Sequence, residues 1–291
     1  MAGAVPGNPL AARRAFGVEL RRRRDEAGLT AEDVGGTIGC SASKITRIET
    51  GHRSANPEDF DALMELYRVA EDDYAHLHDL FKQGRRRTKM WWHAFGDVLS
   101  TNYAHFLGYE HEAVSTFEYQ VVYIPALLQT EAYARAVTAV GFAALGPDQI
   151  DSLVEVRMRR QRRIHEDEPL RFSGVITQAA LEFQVGGPEA HLAQLRHLRE
   201  AMKLPNISLR VIPFSKGADG TQPGAFSIFD FAGQDTPAAA FAETVTGNVF
   251  IEDALGLRRL NRLADYLVGA ALSAEQSVEL IEQTERKLAS T

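Results

Sequence analysis

The sequence predicts an all-α head of short helices followed by an α+β domain with a mainly antiparallel sheet. Three observations carry this expectation. Residues 12–82 place their apolar side chains at helical spacing, with capping residues between the periodic runs. After residue 170 alternating segments that suit strands cluster beside longer helical ones. At 291 residues the chain exceeds a single typical domain, and a 45% hydrophobic content can fill more than one core.

Residues 1–11 read as a flexible N-terminus, and a first helix runs through Phe16, Leu20 and Arg24. Residues 28–53, GLTAEDVGGTIGCSASKITRIETGHR, read as two short helices around a tight turn. Thr30 caps the first, since its side-chain oxygen accepts an orphan backbone N–H. Val34 and Ile38 form its apolar stripe, Gly39 ends it, and Ser41 caps the next helix. That second helix buries Ile45 and Ile48, leaving Ala42, Ser43, Lys44, Thr46 and Arg47 outward. Small polar groups with two cations suit a helix that enters a major groove about 12 Å wide. His52 and Arg53 follow as phosphate neighbours, and Arg21–Arg24 with Arg13 and Arg14 are either further phosphate neighbours or solvated helix faces. A later helix starts near Pro57 and carries Phe60, Leu63, Met64 and Tyr67. Gly35 and Gly36 lie inside a helix, where each costs about 1 kcal/mol relative to alanine.

This segment resembles the Xre-type helix-turn-helix family, with its lambda-repressor-like fold, over roughly residues 12–80. The resemblance implies binding to a double-stranded DNA operator, with Thr30, Ser41, Ala42, Ser43, Lys44, Thr46, Arg47, His52 and Arg53 at the interface. It also implies that Arg24 pairs with Glu49, and that Gly35 is small so that the helices approach closely; Gly36 has no such reason. Two positions depart from the family's usual glutamines, Ala31 and Ala42. Alanine cannot hydrogen-bond a base edge, so direct readout falls to Ser43, Lys44 and Arg47, with Ala42 able to touch a thymine methyl.

The charge is uneven. Residues 1–55 hold nine Lys or Arg against six Asp or Glu, a balance of +3, so the −7 of the whole chain leaves −10 on residues 56–291. A basic reading head before an acidic body suits a protein whose DNA affinity is local. No apolar run of membrane-spanning length and no signal peptide is seen, so a cytoplasmic protein is expected. The lone Cys40 excludes an intrachain disulfide and reads as a small packing residue rather than a redox switch.

A linker is expected at Gln83–Met90, and the second domain at 91–291. Its helices are expected at Val98–Leu107, Glu110–Ser115, from Thr130, at 148–165, Pro188–Met202, Glu252–Leu272 and Ser273–Leu288, the last with a Ser273/Gln276 capping box. Its strands are expected at Thr116–Tyr123, Leu170–Thr177, Ile207–Pro213, Ala225–Phe231, Ala239–Val245 and Val249–Glu252. Several stretches, among them WWHAFGDVL, VVYIPALLQTEAYARAV, LPNISLRVIPFSKG and FAETVTGNVFIED, are similar to an uncharacterised domain that follows Xre-type heads in many actinobacterial regulators. Ala126 stands where that family has glycine, which matters if the turn needs a positive φ and little if the glycine only permits close approach. The resemblance implies a transcriptional regulator, with a partner-controlled or antitoxin-like role as an alternative, and supplies neither ligand nor catalytic residues.

The chain has no nucleophile elbow, zinc-protease motif, phosphate loop or dinucleotide fingerprint, so it is not expected to be an enzyme and no cofactor is expected. His76 with His78, and His105 with Glu110 and His111, match no common metal spacing. The 158–163 run MRRQRR reads as a solvated basic face over a stripe of Leu153, Val156 and Ile164. An aromatic concentration nominates a ligand site built from Trp91, Trp92, Tyr103, Tyr123, Gln129 and Tyr133, with the loop Ser215–Pro223 as a lid. Three roles follow for the second domain: sensing a small-molecule effector, binding a small protein partner, or catalysis, the last without a constellation to support it. Each expects a homodimer, because helix-turn-helix heads pair across half-sites about 34–36 Å apart.

Overall fold

The structure, a computed structural model, describes residues 9–86, 90–140, 145–220, 222, 224–232, 238–244 and 247–290. The chain divides into two compact units, one running to Trp91 and the other starting at Trp92. No helix among the described residues is long and apolar enough to cross a membrane.

The first unit is all helical: α1 (Pro9–Glu26), α2 (Ala31–Ile38), α3 (Ala42–Glu49), α4 (Pro57–Leu66) and α5 (Glu71–Gly84). Its caps follow from the sequence. Thr30 Oγ1 accepts the Asp33 N–H at 3.1 Å while the Asp33 carboxylate returns to the Thr30 N–H at 2.8 Å. Gly39 ends α2 in the left-handed region at φ 73°, and Ser41 Oγ caps α3 by accepting the Lys44 N–H at 3.2 Å. Asn56 and Asp59 form the same reciprocal box at α4, with Pro57 in the first turn. The core is built from Phe16, Leu20, Val34, Ile45, Ile48 and Phe60, with Leu63, Met64, Leu77 and Phe81 behind them. Phe60 and Phe81 stack at 4.5 Å. Helix starts before residue 12, at Pro9, and α5 runs into the expected linker as far as Gly84; residues 87–89 of that linker and residues 1–8 lie outside the described residues.

The second unit interleaves helices and strands. In order they are α6 (Thr101–Glu112), β1 (Ala113–Gln120), α7 (Glu131–Ala139), α8 (Pro147–Arg160), β2 (Arg171–Thr177), the short α9 (Ala179–Glu182), α10 (Pro188–Ala201) and β3 (Ile207–Ile212). There follow β4 (Phe226–Phe231), β5 (Ala239–Thr244), β6 (Gly247–Ile251), α11 (Ala254–Ala270) and α12 (Ala274–Ala289). The sheet runs β3-β2-β1-β4-β5-β6. It is mixed, which corrects the expectation of a mainly antiparallel sheet. β1 with β2 and β2 with β3 are parallel, while β1–β4, β4–β5 and β5–β6 are antiparallel. The reason lies in the connections: α7 with α8, and α9 with α10, are the long crossovers that parallel neighbours need. Only β4 to β6 follow one another closely enough for antiparallel turns.

One sheet face packs Tyr119, Val175, Phe226 and Ile228 against Leu257, Ala264 and Leu267 of α11. On the other face Phe106 of α6 meets the rings of Phe229 at 5.4 Å and Phe241 at 4.7 Å. Ser273 and Gln276 form the expected capping box on α12. Ala126 opens a 3-10 turn, and it is not among the residues with a positive φ, so alanine fits there without backbone strain. Phe214–Gly220 is a pair of 3-10 turns kinked at Gly217; of the loop expected as a lid, Thr221 and Pro223 lie outside the described residues, as does Val245 of the fifth expected strand.

Candidate nucleic-acid interface

The exposed side of α3 is a stripe of Ser43, Thr46 and Arg47 with half-buried Ala42 beside them, opposite the buried Ile45, Ile48 and Glu49. Three contacts fix that helix. Arg24 of α1 grips Glu49 in two parallel hydrogen bonds, Nε to Oε1 at 2.7 Å and Nη2 to Oε2 at 3.0 Å, and its Nη1 donates to the Leu29 carbonyl at 3.0 Å. Glu49 is almost wholly buried, and its carboxylate raises the Arg24 pKa. Gly17 of α1 lies against the end of α3: a Cβ there would come within 2.7 Å of the Ile48 carbonyl oxygen. Gly35 does the same between α2 and α3, where a Cβ would meet the Cys40 carbonyl oxygen at 2.7 Å. Gly36 faces open space, and nothing in the structure explains it. Gly17 is a positioning residue that the sequence reading missed; a glycine in mid-helix was its only signal.

Lys44 is placed differently from the other residues nominated as base readers. Its Nζ forms an ion pair with Asp59 Oδ1 at 2.6 Å, so it ties α3 to the cap of α4. Arg47 and Arg53 are exposed, and Arg47 Nε donates back to the Ser43 carbonyl at 3.2 Å. Thr30 and Ser41 sit exposed at the two helix starts, their hydroxyls engaged in capping. His52 is half-buried, with Nδ1 2.8 Å from Thr50 Oγ1, and burial and then Arg14 lower its pKa, so it is neutral near pH 7. Among the other cations Arg22 pairs with Glu19 and Glu26, Arg23 with Asp73, and Arg13 Nε donates to the Gly84 carbonyl at 2.6 Å. Arg14 is buried. The arginine runs are therefore largely structural, and within Arg21–Arg24 it is Arg21 that makes no ion pair among the described residues. Burial raises the Cys40 thiol pKa, in keeping with its packing against the head core.

A helix-turn-helix domain matches residues 15–77, and a domain of unknown function, DUF5753, matches residues 103–283. The second match spans more than half of the chain. The chain belongs to the DUF5753 family. With its head it is a helix-turn-helix, DNA-binding type of regulator that carries an uncharacterised second domain. No curated protein and no solved structure matches it.

Within the DUF5753 domain the nominated ligand residues do not converge. Trp92 is buried with its ring edge-on to His111, and Tyr133 is fully buried with its hydroxyl accepting the Ile124 N–H at 3.2 Å. Burial pushes the Tyr133 phenol up to about 12. Tyr123 is exposed, and Trp91, half-buried, belongs to the first unit. Tyr103 and Gln129 do meet, at two arginines of α8. Gln129 Oε1 accepts from Arg157 Nη1 at 2.9 Å, and the Tyr103 hydroxyl accepts from Arg160 Nη1 at 3.0 Å. Arg160 is buried and grips Glu110 through Nε and Nη2, both at 2.7 Å, beneath the Phe106 ring. Burial opposes its charge, yet Glu110 outweighs burial and holds the guanidinium well above its ordinary range. The 158–163 run is thus only in part a solvated basic face: Arg162 is exposed and Arg159 pairs with Glu155 at the surface over buried Val156 and Ile164, but Arg160 points inward and Arg163 pairs with Glu166 and the Ala113 carbonyl. Among the described residues no group of three or more His, Cys, Asp or Glu is placed to hold a metal ion.

Proposed function

We propose that this chain is a sequence-specific transcriptional regulator that reads operator DNA with α3. Ser43, Thr46 and Arg47 contact base edges, Ala42 lies against a thymine methyl, and Arg53 with Arg21 neutralises phosphates. The single observation that carries this reading is the rigid mounting of an exposed polar stripe by the Arg24–Glu49 pair and the Lys44–Asp59 pair. The DUF5753 domain responds to a small-molecule effector and supplies dimer contacts, with no catalytic chemistry of its own. An effector acts here only through different affinities for DNA-competent and incompetent states. Selection of bound sequences from a random DNA pool, repeated with Arg47→Ala, tests the reading. Enriched sites with a preference that relaxes at one position in the variant support it. Equal binding of all sequences by the parent protein refutes it.

One observation favours a protein partner as a second reading. Leu255 and Tyr266 are exposed large apolar residues on α11, and Arg258, Arg259 and Arg262 on the same helix are exposed and pair with no carboxylate among the described residues. Native mass spectrometry of protein from its own host separates the readings: an adduct of small-molecule mass supports the sensor, and a second polypeptide supports the partner.

A further inference from the structure

The DUF5753 domain holds a polar cluster, buried at one end and open to solvent at Glu243, that neither the DNA interface nor the apolar core uses. Glu118 on β1 and Ser227 on β4 are direct neighbours across the sheet, and both are buried. Ser227 is paired in turn with Phe241 of β5, and Glu243 stands two residues further along the same face. All lie toward the end of the sheet where β1 and β5 finish. Over them sit Arg157 and Arg160 on α8, with Glu110 and Tyr103 on α6.

Internal pairing accounts for only part of this cluster. Glu110 and Arg160 satisfy each other. Glu118 accepts one hydrogen bond, from Gln120 Nε2 at 2.8 Å. Glu243 makes no side-chain hydrogen bond or ion pair among the described residues, although Arg157 and Arg160 are near enough to act on its charge. Arg157 commits Nη1 to Gln129, while its Nε, shut off from solvent, has no acceptor. The buried Glu118 carboxylate thus keeps a single hydrogen bond, the buried Arg157 Nε–H has none, and the exposed Glu243 carboxylate stands beside them; buried polar groups short of partners are costly.

The location is also one that ligands use. From β1 the chain moves outward through β2 to β3, then returns to the other side of β1 as β4. The cluster lies toward the carboxyl ends of the parallel strands β1 to β3, the side on which open α/β sheets bind ligands, although β4 beyond β1 runs antiparallel. Burial pushes the Glu118 carboxyl up to about 7, and the charge on the neighbouring, exposed Glu243 adds to that shift. A cationic partner relieves both. An anion would face two acids for one guanidinium, and a hydrocarbon would leave all three groups unsatisfied.

We propose that Glu118, Glu243 and Arg157 line a binding site for a small organic amine that also carries an oxygen acceptor. The ammonium is held by the carboxylates, and the acceptor takes the Arg157 Nε–H. The proposal rests on the sensor reading of this domain and names the chemistry of its effector.

Thermal unfolding and titration calorimetry of the full chain test it, with glycinamide, γ-aminobutyrate and putrescine as probes and succinate and butane-1,4-diol as controls. The expected result is a raised thermal midpoint with an acceptor-bearing amine and none with succinate or the diol. Affinity should rise about tenfold between pH 6 and pH 8 as Glu118 loses its proton, then level off. Glu243→Gln, at the partly exposed mouth, should keep the ligand-free midpoint and weaken amine binding tenfold or more; Glu118→Gln should abolish the pH dependence. A shift with succinate in place of the amines overturns the proposal. So does the absence of any amine effect when protein from the host carries a small molecule of other chemistry, in which case the sensor reading stands. No adduct and no amine effect together bring down both.

Discussion

Arg47 is the cation on the exposed stripe of α3, and Lys44 is withdrawn from that stripe by Asp59. Arg47→Ala should therefore cost about 1–3 kcal/mol of specific DNA binding, relax preference at one base, and leave the thermal midpoint unchanged. Fluorescence anisotropy on operator and mismatched duplexes reads all but the last. The two glycines of α2 predict opposite outcomes for the same substitution. Gly36→Ala removes a helix-interior glycine that faces open space and should stabilise the head by about 0.5–1 kcal/mol. Gly35→Ala drives a methyl group into the Cys40 carbonyl and should destabilise it; urea unfolding compares the two. Glu118 gives a pH prediction. Its carboxyl titrates near 7 when folded and lower when unfolded, so the folded state holds the extra proton between those values. Its stabilising contribution is full below the unfolded pKa and is lost as pH rises through about 7. Glu118→Gln should remove that decline from the stability profile between pH 5 and pH 8.

At the scale of elements, α3 is held to α1 by the Arg24–Glu49 pair and to α4 by the Lys44–Asp59 pair. Arg24→Ala leaves Glu49 charged and buried, at a cost of about 3–5 kcal/mol, and should lower the unfolding midpoint of the head along with DNA binding. A variant with weakened DNA binding but an unchanged midpoint would make Arg24 a DNA contact instead. These helices were legible in the sequence because their determinants are local. Thr30 with Asp33, Ser41, Asn56 and Pro57 sit within a few residues of what they cap. The strands were legible too, each to within a few residues. Their pairing was not, because direction depends on which helices cross over between strands, and no local pattern marks a helix as a crossover. Non-local charge pairs were the least legible. Glu110 and Arg160 are fifty residues apart, and Arg160 sits in the basic run 158–163, where nothing local marks it as buried. Aromatic content pointed to Tyr103 and Gln129 but also to Trp92 and Tyr133, which serve the interior.

At the scale of the whole molecule, a +3 first segment precedes a −10 remainder, yet many cations of the head are held by carboxylates or carbonyls. On the proposed reading few phosphates are neutralised, chiefly by Arg21 and Arg53 with Arg47 near the groove. The logarithm of DNA affinity should therefore fall against the logarithm of salt with a slope of about −2 to −3 for each head, measurable by anisotropy across a salt series. A much steeper slope would mean that the paired arginines let go of their carboxylates on binding DNA. The diversion of Lys44 to Asp59 has a further consequence for how the protein finds its address. A reading helix with three free side chains spells a word of only a few base pairs. Such a word recurs throughout any genome, where about 10⁶–10⁹ competing sites dilute it. One head alone would be spread over these decoys. The regulator gains a usable vocabulary only when two words are read together at a fixed spacing, so whatever couples two heads also decides whether the protein has a target at all.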